Sequence, residues 1–224
     1  MTEGQIAVSS RLSLDPAASY PTVLRQLLGQ RYPTQSIQVE NAGRSGEWAV
    51  DGQYRLGAEL AQLAAANALP DLLVSLGSAG SRRLAQAQIY QAVSVSYRDM
   101  DASALGFEKG VTPFLGLPAT LPLPHRIPGI AEATLSTGAA IISGTAYDTI
   151  AQDMVDMETF SILRACQIFR VPLVALRGIS DGAAELGHID DWTAYLHIID
   201  ERLAAAVGLL GQALASGAIR LDAR

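Results

Sequence analysis

The sequence predicts a three-layer α/β/α fold around a mostly parallel, mixed sheet, and three observations lead there. Apolar or alternating runs at residues 36–40, 71–76, 91–96, 139–143 and 171–177 are interleaved with helical stretches at 21–31, 54–67, 157–169 and 192–214. That order argues for a sheet covered on both faces. The first strand, helix and strand form a βαβ unit with a right-handed crossover, which sets strand 36–40 parallel to and beside strand 71–76. Of the 224 residues, 49% are hydrophobic and 17% charged, so one large α/β domain can bury a sizeable core.

Each element has a local reason. Pro21 suits the first turn of a helix that puts Val23, Leu24, Leu27 and Leu28 on one face. Ser36-Ile-Gln-Val-Glu alternates as a strand does, and Asn41-Ala-Gly-Arg-Ser-Gly is a turn. Tyr54 to Asn67 is the second helix. Asp71-Leu-Leu-Val-Ser-Leu is a buried strand running into the turn Gly77-Ser-Ala-Gly80. Five prolines between Gly110 and Gly129 predict an irregular excursion. Ala139 to Ser143 reads as a strand. In the helix from Met157 to Phe169, Ile162, Leu163 and Cys166 point inward. Pro172 stands near the start of the strand Val171–Arg177, and a long helix, Trp192 to Leu214, follows.

Composition excludes several functions. The formal charge of −6 comes without a basic block, so nucleic acid and anionic membrane are poor partners. No apolar run reaches about 18 residues, and residues 1–5 do not begin a signal peptide. The single cysteine, Cys166, permits no internal disulfide and reads as core. A cytoplasmic protein needing neither metal nor cofactor is expected.

Four segments carry chemistry together: Ser75–Gly80, Tyr97–Phe107, Val155–Glu158 and Leu176–Asp181. The first is a glycine-rich strand exit where backbone N–H groups can approach a ligand. In the third, Glu158 stands at a helix N-terminus, where the dipole favours its ionised form. The fourth sets Arg177 and Asp181 at a strand end. A carboxylate can accept two ribose hydroxyls, and an aspartate beside a purine can help protonate N7 as the glycosidic bond breaks. Singly each segment is ordinary: a turn, a capped helix, an ion pair.

Together and in this order they resemble the methylthioadenosine/S-adenosylhomocysteine nucleosidases and their relatives, the purine and uridine phosphorylases. The resembling features are Gly77-Ser-Ala-Gly80, Asp99 and Asp101 with Gly106-Phe107, Ser143-Gly-Thr-Ala-Tyr147, Asp156-Met-Glu158, and Arg177 with Ser180-Asp181. They span roughly residues 68–224. The resemblance implies a nucleoside phosphorylase-like fold and a purine nucleoside substrate. Glu158 is then expected to bind the ribose hydroxyls, and Met157 to pack beneath the sugar. Asp181, positioned by Ser180, meets N7 and the exocyclic amine. Tyr147 stacks on the base, and Gly77, Ser78 and Arg177 line the site for water or phosphate. Phe107 and Phe114 are expected either at the 5′ end or in the core, and a homodimer is implied.

The first ~60 residues resemble a different family, the SGNH-type esterases. Thr2-Glu-Gly, Tyr20–Leu28 and Val39–Glu47 carry that likeness, with Gly43 or Gly46 at its oxyanion-hole position. The esterase chemistry is incomplete. No Gly-x-Asn-Asp block follows strand 71–76, and no Asp-x-x-His closes a triad; His125, His188 and His197 stand in other contexts. The sequence therefore reads as one α/β domain recombined from two families, joined between about Leu56 and Ala68. The join removes the N-terminal glutamate with which these nucleosidases activate water. Glu3, Glu40 and Glu47 are the nearest candidates to replace it. A phosphorylase would instead need a phosphate nest, which Gly43-Arg-Ser-Gly46 can imitate.

Overall fold

The computed structural model describes residues 6–10, 38–41, 48–182 and 184–221, with side chains from Leu56 onward except Ile189. The expected helix 21–31 lies outside the described residues, as does the expected turn 41–46 except Asn41, which ends a strand. Eight strands form one sheet: β1 (Ile6–Ser10), β2 (Gln38–Asn41), β3 (Leu72–Gly80), β4 (Ile89–Tyr97), β5 (Thr120–Pro122), β6 (Ala131–Thr137), β7 (Met154–Asp156) and β8 (Leu173–Asp181). The described helices are α1 (Trp48–Ala65), α2 (Thr159–Phe169), α3 (Ile189–Thr193) and α4 (Leu196–Ala215). None is long and apolar enough to cross a membrane.

Strands β2, β1, β3 and β8 run parallel in that spatial order. Strands β4, β6 and β7 are parallel among themselves but antiparallel to that set, where β4 meets β8 and β7 meets β3 at Gly80. The sheet thus curls until β3, β8, β4, β6 and β7 close a ring. Alternation along β3 and β8 sorts the layers. Leu72, Val74, Leu76, Val174 and Leu176 pack with Ile199, Leu203, Val207 and Leu210 of α4. Leu73, Ala79, Leu173, Ala175 and Ile179 pack on the other side with Leu60 of α1 and Ile162, Leu163 and Cys166 of α2. This is the expected three-layer α/β/α fold around a mixed sheet. Burial pushes the Cys166 thiol up to about 12, so its environment suits a core residue and not a nucleophile.

Several boundaries differ from expectation. Strand 36–40 is parallel to strand 71–76 but not beside it, because β1 lies between them, with Val8 opposite both Val39 and Val74. Residues 6–10, outside the strands that the sequence predicts, form β1. Gly77-Ser-Ala-Gly80 is not a turn; it continues β3, paired in register with β8 from Gly77 to Ala79 and, after a shift of one residue, with Gly80 opposite Asp181. Residues 139–143 are not a strand. The Ala139 N–H donates to Asp99 Oδ2 (2.6 Å), and the Gly138 and Ala140 carbonyls accept from the Arg98 guanidinium (2.7 and 2.6 Å). Side chains have taken the backbone groups a ladder would use. The strand lies earlier, as β6, with Ala133, Leu135 and Thr137 inward. The helix at 192–214 is two helices, α3 and α4, with Ala194 and Tyr195 between them.

Candidate active site

Asp181 ends β8 and is 8% exposed. Its Oδ1 accepts from the Ser180 hydroxyl at 2.6 Å. Burial pushes its carboxyl above the usual aspartate range, and the serine hydrogen bond pulls part of the way back. This is an acid that keeps a proton longer than an exposed one, with Oδ2 turned to Gly80. A Cβ on residue 80 would come closer than 3.0 Å both to that oxygen and to Tyr147 Oη. Only glycine lets these two polar groups pack this closely over residue 80.

Tyr147 sits in a 3-10 turn, Gly144–Thr149, and its ring packs with Ile150 and Val155. The Arg82 guanidinium lies 6.0 Å from the ring centroid and is itself paired with Asp148. The hydroxyl is buried without a hydrogen-bond partner. Burial, then the charge of Asp181, make it a weaker acid than an ordinary tyrosine.

Glu158 occupies the N-cap position of α2, half-buried, with Met157 half-buried before it. Its carbonyl accepts from Ile162 N at 3.0 Å and from the Ser161 hydroxyl at 2.7 Å. Its charge acts on Arg98, as do those of Asp99 and Asp156, although burial outweighs them and lowers the Arg98 pKa. Arg98 is the residue sequence reasoning missed. Its terminal nitrogens donate to four carbonyls, those of Ser136, Asp156, Gly138 and Ala140. Its Nε is buried and unpartnered. A cation inside the Tyr97–Phe107 segment was the available signal, since charge at a buried strand end needs a structural or functional partner. Electrostatic reach links Glu158 to Arg98, Arg98 to Tyr147, and Tyr147 to Asp181.

Arg177 does not stand where a ligand could use it. It is 2% exposed, and all five N–H groups are taken by protein. Nε donates to Asp156 Oδ2 (3.1 Å), and the others to Ser75 O (3.1 Å), Leu176 O (2.9 Å), Ser75 Oγ (3.0 Å) and Thr159 Oγ1 (2.6 Å). The expectation that Arg177 holds water or phosphate is corrected accordingly: a guanidinium has five donors and none remains. Gly77 lies under that guanidinium, 3.5 Å from its Cζ as measured from a Cβ position, an ordinary contact that does not require glycine. Ser78 is half-buried opposite Gly178. Phe107 packs edge-to-face on Phe114, with centroids 5.8 Å apart. Among the described residues no hydrogen bond or ring contact joins that pair to Asp181 or Tyr147. Nor does any group of three or more His, Cys, Asp or Glu side chains there stand ready for a metal.

The chain belongs to the phosphorylase superfamily, which its sequence matches over residues 55–208. Solved structures share the fold at low identity. The 5′-methylthioadenosine/S-adenosylhomocysteine nucleosidase of Campylobacter jejuni is 16% identical, with a TM-score of 0.74 over 94% of this chain and 100% of its own. The futalosine hydrolase of Helicobacter pylori is 17% identical, with a TM-score of 0.73 over 93% and 97%. The Colwellia psychrerythraea nucleosidase, solved in complex with adenine, is 20% identical, with a TM-score of 0.72 over 93% and 95%.

Proposed function

We propose that the chain is a purine nucleosidase that hydrolyses the N-glycosidic bond of methylthioadenosine, S-adenosylhomocysteine or a close analogue. The observation that carries this is Asp181: a buried carboxyl with a raised pKa, one oxygen held by Ser180 and the other beside Gly80 with no hydrogen bond among the described residues. Such a group can deliver a proton to N7 as the bond from C1′ to N9 breaks and its electrons pass to the base. Glu158 supports the developing positive charge on the ribose. Water then adds to C1′ and loses a proton. Superfamily membership and the nucleosidases among the structural neighbours add support. Arg177 is a positioning residue here, bracing β3, β7 and α2.

The phosphorylase reading loses one support, since Arg177 has no donor left for phosphate. The nest at 43–46 lies outside the described residues, as do Glu3 and Glu47; Glu40 is in β2. Without the water-activating glutamate, turnover should fall by ~10²–10⁴ relative to an intact nucleosidase, with base binding less affected. Adenine release from methylthioadenosine, measured with and without phosphate, tests the proposal. Phosphate-independent release supports hydrolysis, phosphate dependence supports the phosphorylase, and adenine binding without release leaves a binding scaffold.

The recombinant origin of residues 1–60 belongs to the same proposal. Its support is the esterase likeness and a superfamily match that begins at residue 55. Replacing residues 1–60 by the corresponding part of an intact nucleosidase should restore fast turnover; no gain would argue against it. A homodimer is also proposed, on the resemblance and on Leu105, Phe114 and Leu115, exposed at 76%, 97% and 47% within one segment. Light scattering on the purified chain decides it.

A further inference from the structure

Tyr147 is unusual among the residues around Asp181. It is 6% exposed, yet among the described residues its hydroxyl has no hydrogen-bond partner. A buried hydroxyl left unpaired is costly and calls for an explanation. This one is aimed by its surroundings. Ile150 and Val155 pack on the ring, Arg82 lies over it, and the Arg82–Asp148 pair holds that arginine. Oη is thereby packed over Gly80, where Asp181 Oδ2 also lies, so the two polar atoms converge on one backbone position.

We propose that the Tyr147 hydroxyl reads the 6-substituent of the purine beside Asp181, so that the site accepts 6-oxopurines as well as 6-aminopurines. The inference rests on the reading of Asp181 as the group that meets the base. N7 and the 6-substituent are neighbours on one edge of a purine. Asp181 has one open oxygen, because Ser180 holds the other, and an acid acting on N7 spends that oxygen there. A second polar group in the same space then meets the 6-position. A carboxylate is suited to an amine and repels a carbonyl oxygen. A hydroxyl both donates and accepts, so it can donate to a 6-oxo group or accept from a 6-amino group. In this reading Tyr147 meets the edge of the base with its hydroxyl, not the face with its ring.

The test compares wild type with Tyr147→Phe by calorimetric titration of adenine and hypoxanthine, alongside base release from methylthioadenosine and methylthioinosine. The variant removes an oxygen without a partner, so the fold should survive, which a melting curve verifies. Wild type should bind both bases. The variant should weaken hypoxanthine about 10- to 100-fold, the cost of an unmet hydrogen bond, and adenine by much less. An equal loss for both bases, no loss for either, or a wild type that binds adenine alone or neither base would overturn the proposal. If the bases bind with the expected discrimination but no nucleoside is cleaved, the nucleosidase reading fails and this assignment stands.

Discussion

Asp156 and Asp181 are two aspartates at the ends of β7 and β8, the strands that flank the end of β3; they are 6% and 8% exposed, and the protein treats them oppositely. Asp156 is saturated. Oδ1 accepts from Thr137 Oγ1 at 2.6 Å, while Oδ2 takes Arg177 Nε and both the N–H and the hydroxyl of Thr159. Among the described residues Asp181 has a single side-chain hydrogen bond, from the residue before it, and no cation paired with it. A saturated buried carboxylate tolerates its burial and braces the fold. An unsaturated one is pushed toward its neutral form, which is unfavourable for stability and useful for acid catalysis. Being buried and charged in sequence does not separate the two roles; the number of donors pointed at each carboxylate does.

The sharpest way to break this comparison is to remove Asp156. Asp156→Ala leaves the Arg177 cation buried without its counter-charge, and unfolding in urea should show a loss of about 3–5 kcal/mol. A loss near zero would mean that the Arg177 knot does not hold the ring of strands. Asp181→Asn should behave in the opposite way. Base release should drop by ~10²–10⁴, because an amide cannot deliver the proton, while stability at neutral pH should equal or exceed that of wild type. The sign follows from the raised pKa. The stability Asp181 contributes is complete below the ordinary aspartate range and is lost as pH rises through its higher folded value. Urea midpoints taken from acid to neutral pH should therefore fall less in Asp181→Asn than in wild type. A steeper fall in the variant would reverse the assignment.

Gly80 tests the space between the two polar groups. Gly80→Ala forces Tyr147 and Asp181 apart and should cost about 1–3 kcal/mol, with a loss of adenine affinity visible in titration. Unchanged affinity would place the base elsewhere. The smallest effect is expected at Asp200, a third carboxylate, on α4. Its Oδ1 is buried without a partner, and burial raises its pKa to about 7. Its contribution likewise disappears as pH rises from the ordinary aspartate range through about 7. Asp200→Asn should flatten that part of the stability profile without affecting base release, in a pH series of thermal melts. A variant that changed turnover would tie α4 to the site.

Much of the architecture could be read from local pattern. The strands at 71–76, 91–96 and 171–177 and the inward face of α2 follow from apolar periodicity, because a buried face imposes its period on the chain. Errors arose where side chains compete with the ladder. Residues 139–143 have strand composition, but Arg98 and Asp99 claim their backbone. Gly77-Ser-Ala-Gly80 has turn composition, but β8 pairs with it along its length. Strand β1 is only five residues long and gains its place from two parallel neighbours, which no local signal reports.

The site divides the same way. Residue type and order brought Asp181, Ser180, Tyr147 and Glu158 into consideration, since acid, hydroxyl, ring and helix-capping carboxylate each have a chemistry that is fixed before folding. What each does with that chemistry depends on partners far away in the chain. Arg177 became a brace because Ser75, Asp156 and Thr159 converge on its five donors. Arg98 entered the neighbourhood because four carbonyls from β6, β7 and the loop after β6 surround it. Of the two motif glycines, Gly80 alone is demanded by space, because Tyr147 and Asp181 meet over it. Hydrogen-bond saturation and burial belong to positions in three dimensions, and only the tertiary structure could assign them.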